Sequence, residues 1–388
     1  MWPSSEFSIS RLNEYPFGKE AELKEQLREA DIEERGKYKK AAKKAWRTIR
    51  AERKRISSEG SARLEEFVRP SVISRIVHPE AVQKTLTLEP HTSYGKGLVS
   101  LFHKTPHDIA CGPFWELRWA FGCPLDCNYC YLRGTMRGKM NPRIVNVNYV
   151  LSALDAAFAS IPEPSIFNSG ELADSLMNPL VMAKIADKFE EQSKHKLATL
   201  SKFGPRNAQF LVAKPRKQTI CAWSINALEV AKRWERAAAP PDQRIEAAKR
   251  VSEAGYDTRV RIDPMFPIEE WRQHYQDLIY RIFEKLTPER IILGTPRGLF
   301  KTIKYAQELG FDMRWASFFK EDTGWGKKLA FDQRFEMYSF AQDKLQAIGY
   351  EKGRISLCKE TVNMWSALGR EYQPETCNCY GRRAYGDN

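Results

Sequence analysis

The sequence predicts an α/β chain built on six parallel strands, each followed by a helix, curled into a partial (βα)6 barrel open on one side. Three observations carry this expectation. Six short apolar runs recur between residues 114 and 294. Amphipathic stretches of helical period separate them, the alternation that parallel βα units joined by right-handed crossovers produce. Polar and metal-ligating residue types gather just past the C-terminal ends of those runs, where barrels of this kind keep their reactive groups. A basic helical extension and linker is expected over 1–107, the barrel over 108–309, and a cysteine-containing segment over 310–388.

The expected strands are 114–121, 165–169, 197–202, 219–226, 258–262 and 290–294. The expected helices are 145–160, 180–192, 242–254, 269–286 and 299–308. Asp242 reads as a helix cap, with Arg244 and Glu246 in the first turn. Between 70 and 107, Pro, Gly, Ser and Thr recur, which suits a linker with short strands. Upstream, 37–56 reads as a helix. From Arg35 to Arg55 it holds 11 Lys or Arg against the single acid Glu52, with Tyr38 and Trp46 interleaved. Such a helix suits a phosphate backbone, although a solvated basic face has the same composition.

The formal net charge of +13 over 388 residues points to an anionic partner, nucleic acid first. No stretch approaches the ~18 apolar residues of a membrane span, so no membrane partner is expected. Met1-Trp-Pro-Ser-Ser lacks the charged start and apolar centre of a signal peptide. The expected location is cytoplasmic, where eight cysteines favour metal ligation over disulfides.

The first apolar run ends at Gly122 and opens into Cys123-Pro-Leu-Asp-Cys127-Asn-Tyr-Cys130-Tyr-Leu. A closed zinc or iron site takes four ligands, and this loop offers three. A zinc loop completed by a distant Cys or His is one reading, although C-x3-C-x2-C fits zinc spacings poorly. The other is a 4Fe–4S cube held at three irons, with the fourth left for an exogenous ligand. C-x3-C-x2-C with an aromatic before the last cysteine resembles the signature of the radical S-adenosylmethionine (SAM) superfamily. That resemblance implies that SAM chelates the open iron and is cleaved by an electron to a 5′-deoxyadenosyl radical. The cofactor carries the reaction and the protein supplies binding and aim.

Later strand ends offer Asn168-Ser169-Gly170-Glu171, Ser201-Lys202, Trp223-Ser224-Ile225-Asn226 and Arg261-Ile262-Asp263-Pro264. Converging on one pocket they would bind a ligand; singly, each suits a cap or turn. In the last segment, Cys358 and the pair Cys377-Asn-Cys379, joined by Cys111, are candidates for a second metal, iron–sulfur or zinc. Cys221, inside a strand, reads as core.

Two blocks then resemble one branch of that superfamily, the spore photoproduct lyases. They are Cys-x3-Cys-x-Tyr-Cys-Tyr-Leu at 123–132, and Trp223-Ser-Ile-Asn-Ala-x2-Val followed by Arg244-Ile-Glu-Ala-Ala-Lys and Ala254-Gly-Tyr256. The likeness covers roughly 114–305. It implies that Cys123, Cys127 and Cys130 ligate the cluster. It further implies that Lys202 and Ser224 contact SAM, with Asn226 beside them, and that Ser169 and Glu171 lie in the loop holding the methionine amine. Tyr129 and Tyr131 fall near the cofactor and radical relay, as catalytic residues. A reductant such as flavodoxin or ferredoxin is implied as a partner. The lyases carry a cysteine after the second strand that returns a hydrogen atom to the product radical. Here 167–174 has none, and Glu171 stands nearest. The expected function is hydrogen abstraction from a nucleic-acid base, in DNA repair or base modification; the alternative substrate is a peptide or small metabolite. A zinc-stabilised nucleic-acid-binding module without catalysis is the reading from another class.

Overall fold

The computed structural model describes residues 93–379. The basic helix expected over 37–56 lies outside them. The described residues centre on one nine-stranded open sheet whose spatial order follows the chain. Its strands are β1 (Ser93–Tyr94), β2 (Val99–Phe102), β3 (Phe114–Leu117), β4 (Ile166–Asn168), β5 (Lys196–Ser201), β6 (Thr219–Ser224), β7 (Asp257–Ile262), β8 (Arg290–Leu293) and β9 (Ile355–Leu357). The first two pairings are antiparallel. From β3 to β9 every neighbour is parallel. Strands β4, β6, β8 and β9 are buried at every position, as a parallel sheet covered on both faces requires.

The helices are α1 (Leu132–Thr135), α2 (Val147–Ser160), α3 (Pro179–Phe189), α4 (Pro205–Ala213), α5 (Leu228–Trp234), α6 (Pro241–Glu253), α7 (Trp271–Phe283), α8 (Phe300–Glu308), α9 (Phe331–Ala347) and α10 (Val362–Ala367). Local chemistry fixes their starts. Asn146 accepts a bond from Asn148 N at 3.0 Å to cap α2, and Asn178 accepts one from Val181 N at 3.1 Å to cap α3. Proline opens α3, α4 and α6, where its missing N–H costs nothing. Phe167, Trp223, Val260, Ile291 and the inner faces of α2, α3 and α6 share one core. Cys221 is fully buried within it.

Five expected strands and five expected helices stand within three residues of their observed bounds. The differences have local causes. The run 114–121 divides: β3 stops at Leu117, and Ala120–Phe121 pairs instead with Arg143–Ile144. Arg118 marks the break, its amide bonding Leu98 O and its guanidinium Glu116 at 2.6 Å. Asp242 does not cap α6; Pro240 holds that position, and Asp242 sits in the first turn. The sheet has a seventh parallel strand, because β9, from the tail, pairs with β8. It also begins at Ser93, inside the stretch read as linker.

Candidate active site

The cysteine loop leaves the sheet beyond β3 and is shaped by its backbone. Gly122 has φ +85°, and a Cβ there would stand 2.7 Å from both Met140 O and Asn141 O; only glycine fits. Cys123 N donates to Met140 O at 2.9 Å and Asn128 N to Trp234 O at 2.8 Å. Cys130 N donates to Cys127 O at 3.2 Å, and α1 starts at once behind it. Arg133, 1% exposed, donates to Asp126 at 2.9 Å and lies 3.7 Å over the Phe311 ring. The loop is thus clamped from α1, α5 and the segment after α8.

Cys123, Cys127 and Cys130 all line one open cavity of about 870 Å³, and no other cysteine lines it. Burial pushes the Cys127 thiol up to about 12, against the pull of Lys202. Burial raises Cys123 and Cys130 as well. Bare thiolates are therefore disfavoured here, whereas bound metal inverts that balance. His103 stands at the rim of the same cavity, exposed, with its Nδ1 3.1 Å from Leu101 O. Among the described residues no three His, Cys, Asp or Glu side chains are gathered round a single-ion position. Three thiols on one clamped loop, facing a roomy cavity, suit an iron–sulfur group with one iron left open.

Beside the loop lies a buried charge network. Lys202 Nζ, at the end of β5, is 2.5 Å from Glu235 Oε1 and donates to Tyr129 OH at 2.7 Å. Tyr129 OH donates to the same carboxylate. Arg244, fully buried on α6, stands 2.5 Å from Glu235 Oε2. Burial alone would raise the Glu235 carboxyl, yet Lys202 and Arg244 together hold it down at about 2. Burial and Glu235 keep the Tyr129 phenol well above its ordinary value, hence protonated. Asp174 accepts from Ser201 Oγ, Lys202 N and Leu176 N at 2.8, 2.8 and 2.9 Å. Burial raises it to about 6 despite those bonds.

The opposite wall carries a second network. Asp263, after β7, takes Arg261 at 2.7 Å and both its oxygens take Arg297 at 2.8 Å. Burial opposes its ionisation, but Arg297 and Arg261 hold its carboxyl well below the usual range. Lys359 lies 3.7 Å from Glu171 and 4.8 Å over the Trp325 ring, with Phe102 and Phe114 stacked nearby at 5.0 Å. This aromatic and cationic wall suits a planar anionic substrate.

The residues expected from the sequence divide. Tyr129, Tyr131, Glu171, Lys202 and Ser224 line the cavity with the three cysteines. Ser169 and Asn226 do not line it. Ser169 Oγ is engaged with Ser175 Oγ and Ala198 O, both at 2.9 Å. Asn226 donates to Pro264 O at 2.8 Å and accepts from Tyr275 OH at 3.0 Å. Both are 1% exposed and tie strand ends together. Gly170 lines the cavity, and a Cβ there would also meet Leu200 Cβ at 2.7 Å. Cys111, Cys358, Cys377 and Cys379 line a separate small cavity. Sequence reasoning missed Asp174, Glu235, Arg297 and Lys359; Arg244 stood out only as a first-turn residue. Glu235 has no local signal, because its partners are 33 residues upstream and nine downstream.

Comparison with known proteins agrees with this geometry. Residues 113–293 match the family model described as spore photoproduct lyase. The chain is 33% identical over 177 residues to the spore photoproduct lyase of Bacillus subtilis (strain 168), covering 44% of this chain and 50% of that protein. It is 26% identical over 180 residues to the lyase of Clostridium acetobutylicum, covering 44% of this chain and 52% of that one. The chain thus spans about half the length of the curated relatives it matches. Among solved structures, spore photoproduct lyase complexed with dinucleoside spore photoproduct superposes with a TM-score of 0.54 at 18% identity, over 63% of this chain and 75% of that one. A mutant of the lyase with bound AdoMet and the same dinucleoside gives 0.55 at 18%, over 64% and 76%. These likenesses place the sheet in the lyase fold, and over 113–293 the chain is similar in sequence to the spore photoproduct lyases.

Proposed function

We propose that the chain is a radical SAM enzyme that abstracts hydrogen from a nucleic-acid base, with DNA the first candidate, in repair or base modification. One observation carries the reading: three loop thiols and two charge networks at strand ends face one cavity. When bound there, a 4Fe–4S cluster with SAM supplies reductive cleavage of the sulfonium to a 5′-deoxyadenosyl radical. Cys123, Cys127 and Cys130 hold the cluster. Lys202 and Ser224 line the same cavity from neighbouring strands, the Lys202 ammonium held by Glu235 and Tyr129 and the Ser224 hydroxyl donating to Asp263 O at 3.2 Å. Tyr129, pinned between Lys202 and Glu235, fixes the loop against that wall.

The aromatic wall of Phe102, Phe114 and Trp325 offers stacking to a base, and Lys359 a cation to its phosphate. A base inside a duplex must be extruded first, at roughly a few kcal/mol, and stacking returns about 1–3 kcal/mol per base. The stretch 167–174 after β4 holds no cysteine, so any hydrogen returned to the product comes from a donor other than the one in the lyases. Among the described residues no helix is long and apolar enough to cross a membrane. A low-potential protein such as flavodoxin or ferredoxin would deliver the electron.

The test is anaerobic reconstitution with iron and sulfide, then measurement of 5′-deoxyadenosine under dithionite with and without DNA. Cys127→Ala should abolish formation; retained formation in that variant would sink the assignment. Turnover stimulated by a peptide or small metabolite, and indifferent to DNA, would transfer the proposal to the alternative substrate class.

A further inference from the structure

Four of the eight cysteines have no part in that site. Cys111 precedes β3, Cys358 follows β9, and Cys377 and Cys379 close the described tail. None of the four lies within the stretch matched to the lyase family. The fold nevertheless brings all four to the wall of one cavity of about 30 Å³. All are free thiols. We infer that Cys111, Cys358, Cys377 and Cys379 hold a second metal centre, a thiolate-ligated and coordinatively complete iron–sulfur cluster.

The surrounding structure is built for it. Each cysteine is held through its own backbone or its neighbour's. Cys358 N donates to Leu293 O at 2.8 Å and Arg297 donates to Cys358 O at 3.0 Å. Arg290 donates to Cys377 O at 2.7 Å, Arg259 to Asn378 O at 3.1 Å, and Asn168 to Cys379 O at 3.4 Å. Gly112 N donates to Tyr372 OH at 2.5 Å, which places Cys111 against the tail. The tail is thus stitched to β4, β7 and β8 around the thiols. Asn378 Oδ1, also on this cavity and 5% exposed as a residue, is buried without a hydrogen-bond partner among the described residues.

Charge completes the picture. Four thiolates around an oxidised 4Fe–4S core carry a net charge of about −2. Arg261 Nη2 lies 2.9 Å from Cys358 Sγ, and Lys359 lines the same cavity. These two cations, shared with Asp263 and Glu171, offset part of that charge inside the protein, where unpaired charge is costly. On loading, each S–H proton passes to solvent as a sulfur–metal bond forms, and the metal ions and sulfide come from the medium.

The stoichiometry separates the two centres. Three thiols leave an iron open, as SAM requires; four leave none. The second centre therefore does not bind SAM. Phe114, Glu171, Arg261 and Lys359 line both cavities, so it sits directly behind the substrate wall and locks the tail to the sheet.

The decisive material is the full chain with Cys123, Cys127 and Cys130 all changed to Ser, purified without oxygen. One portion is reconstituted with iron and sulfide and another with zinc. The expected result is a retained stoichiometric centre. It would be roughly four irons with matching sulfide and a reducible cluster signal; roughly one zinc and no cluster would overturn the inference. Adding Cys377→Ser and Cys379→Ser to that background should remove it. If the triple variant is folded by circular dichroism yet holds neither metal in stoichiometric amount, the inference is overturned. It is equally overturned if the tail substitutions leave the metal content unchanged. Because the readout is metal in a variant without the loop cysteines, its failure is distinct from any failure of the SAM chemistry.

Discussion

Replacing Glu235 with Gln keeps the shape of the side chain and removes its charge. In the native protein that carboxylate, with no exposed surface, is shared by Lys202 and Arg244, each at 2.5 Å, and by the Tyr129 hydroxyl. Its carboxyl sits at about 2 against an ordinary 4.5. At 1.36 kcal/mol for each tenfold change in proton affinity, the charged form is favoured in the fold by about 3 kcal/mol. Breaking a buried ion pair by losing one partner costs about 3–5 kcal/mol, so two independent routes agree. A depressed carboxyl stabilises the fold above its unfolded value and loses that contribution as pH falls through the folded one. The gap between wild type and Glu235→Gln should therefore be about 3 kcal/mol at pH 7. It should begin to close below about pH 4.5 and be nearly gone by pH 2. Asp174, shifted the other way, is common to both proteins and cancels in the difference. The assay is equilibrium urea denaturation of both proteins at matched metal content, from pH 7 down to pH 3. A gap under 1 kcal/mol at pH 7, or one that does not narrow toward pH 3, would refute the reasoning.

Lys202→Met should leave Glu235 with Arg244 and the Tyr129 hydroxyl and take a cation from the cavity wall; iron content should hold while 5′-deoxyadenosine formation falls about tenfold or more, as loss of one charged contact of 1.5–3 kcal/mol implies. Gly122→Ala should cost about 1–3 kcal/mol, because its Cβ meets two carbonyl oxygens in a left-handed backbone, and thermal denaturation with iron analysis should show loss of stability and of cluster loading together. Lys359→Ala should weaken binding of single-stranded DNA and lower the slope of log affinity against log salt by about 0.7, one phosphate contact fewer, read by fluorescence anisotropy; an unchanged slope would remove Lys359 from the nucleic-acid surface.

The cysteine spacing and the alternation of apolar runs with helical stretches carry their meaning locally. A missing fourth ligand can be counted along a loop, and βα periodicity is set by which residues must face a core. That Lys202, Ser224 and Glu171 reach the cavity was legible for the same reason, since each sits at or just past a strand end. Ser169 and Asn226 occupy equivalent positions, yet their polar atoms turn inward to Ser175 and Pro264. Which way a strand-end side chain turns is decided by its neighbours across the sheet, and those are not in the local sequence.

By itself, then, the sequence determined the parallel α/β plan, the three-thiol loop with its vacant fourth position, and the chemistry such a loop invites. The tertiary structure alone decided the rest. It set Glu235 between Lys202 and Arg244 from three separate elements, carried β9 out of the tail to a seventh parallel place, and gathered Cys111, Cys358, Cys377 and Cys379 across more than 260 residues of chain. The physical reason is that ligand count and hydrophobic period are properties of a short segment, whereas buried charge pairing and long-range thiol convergence exist only once the chain has closed on itself.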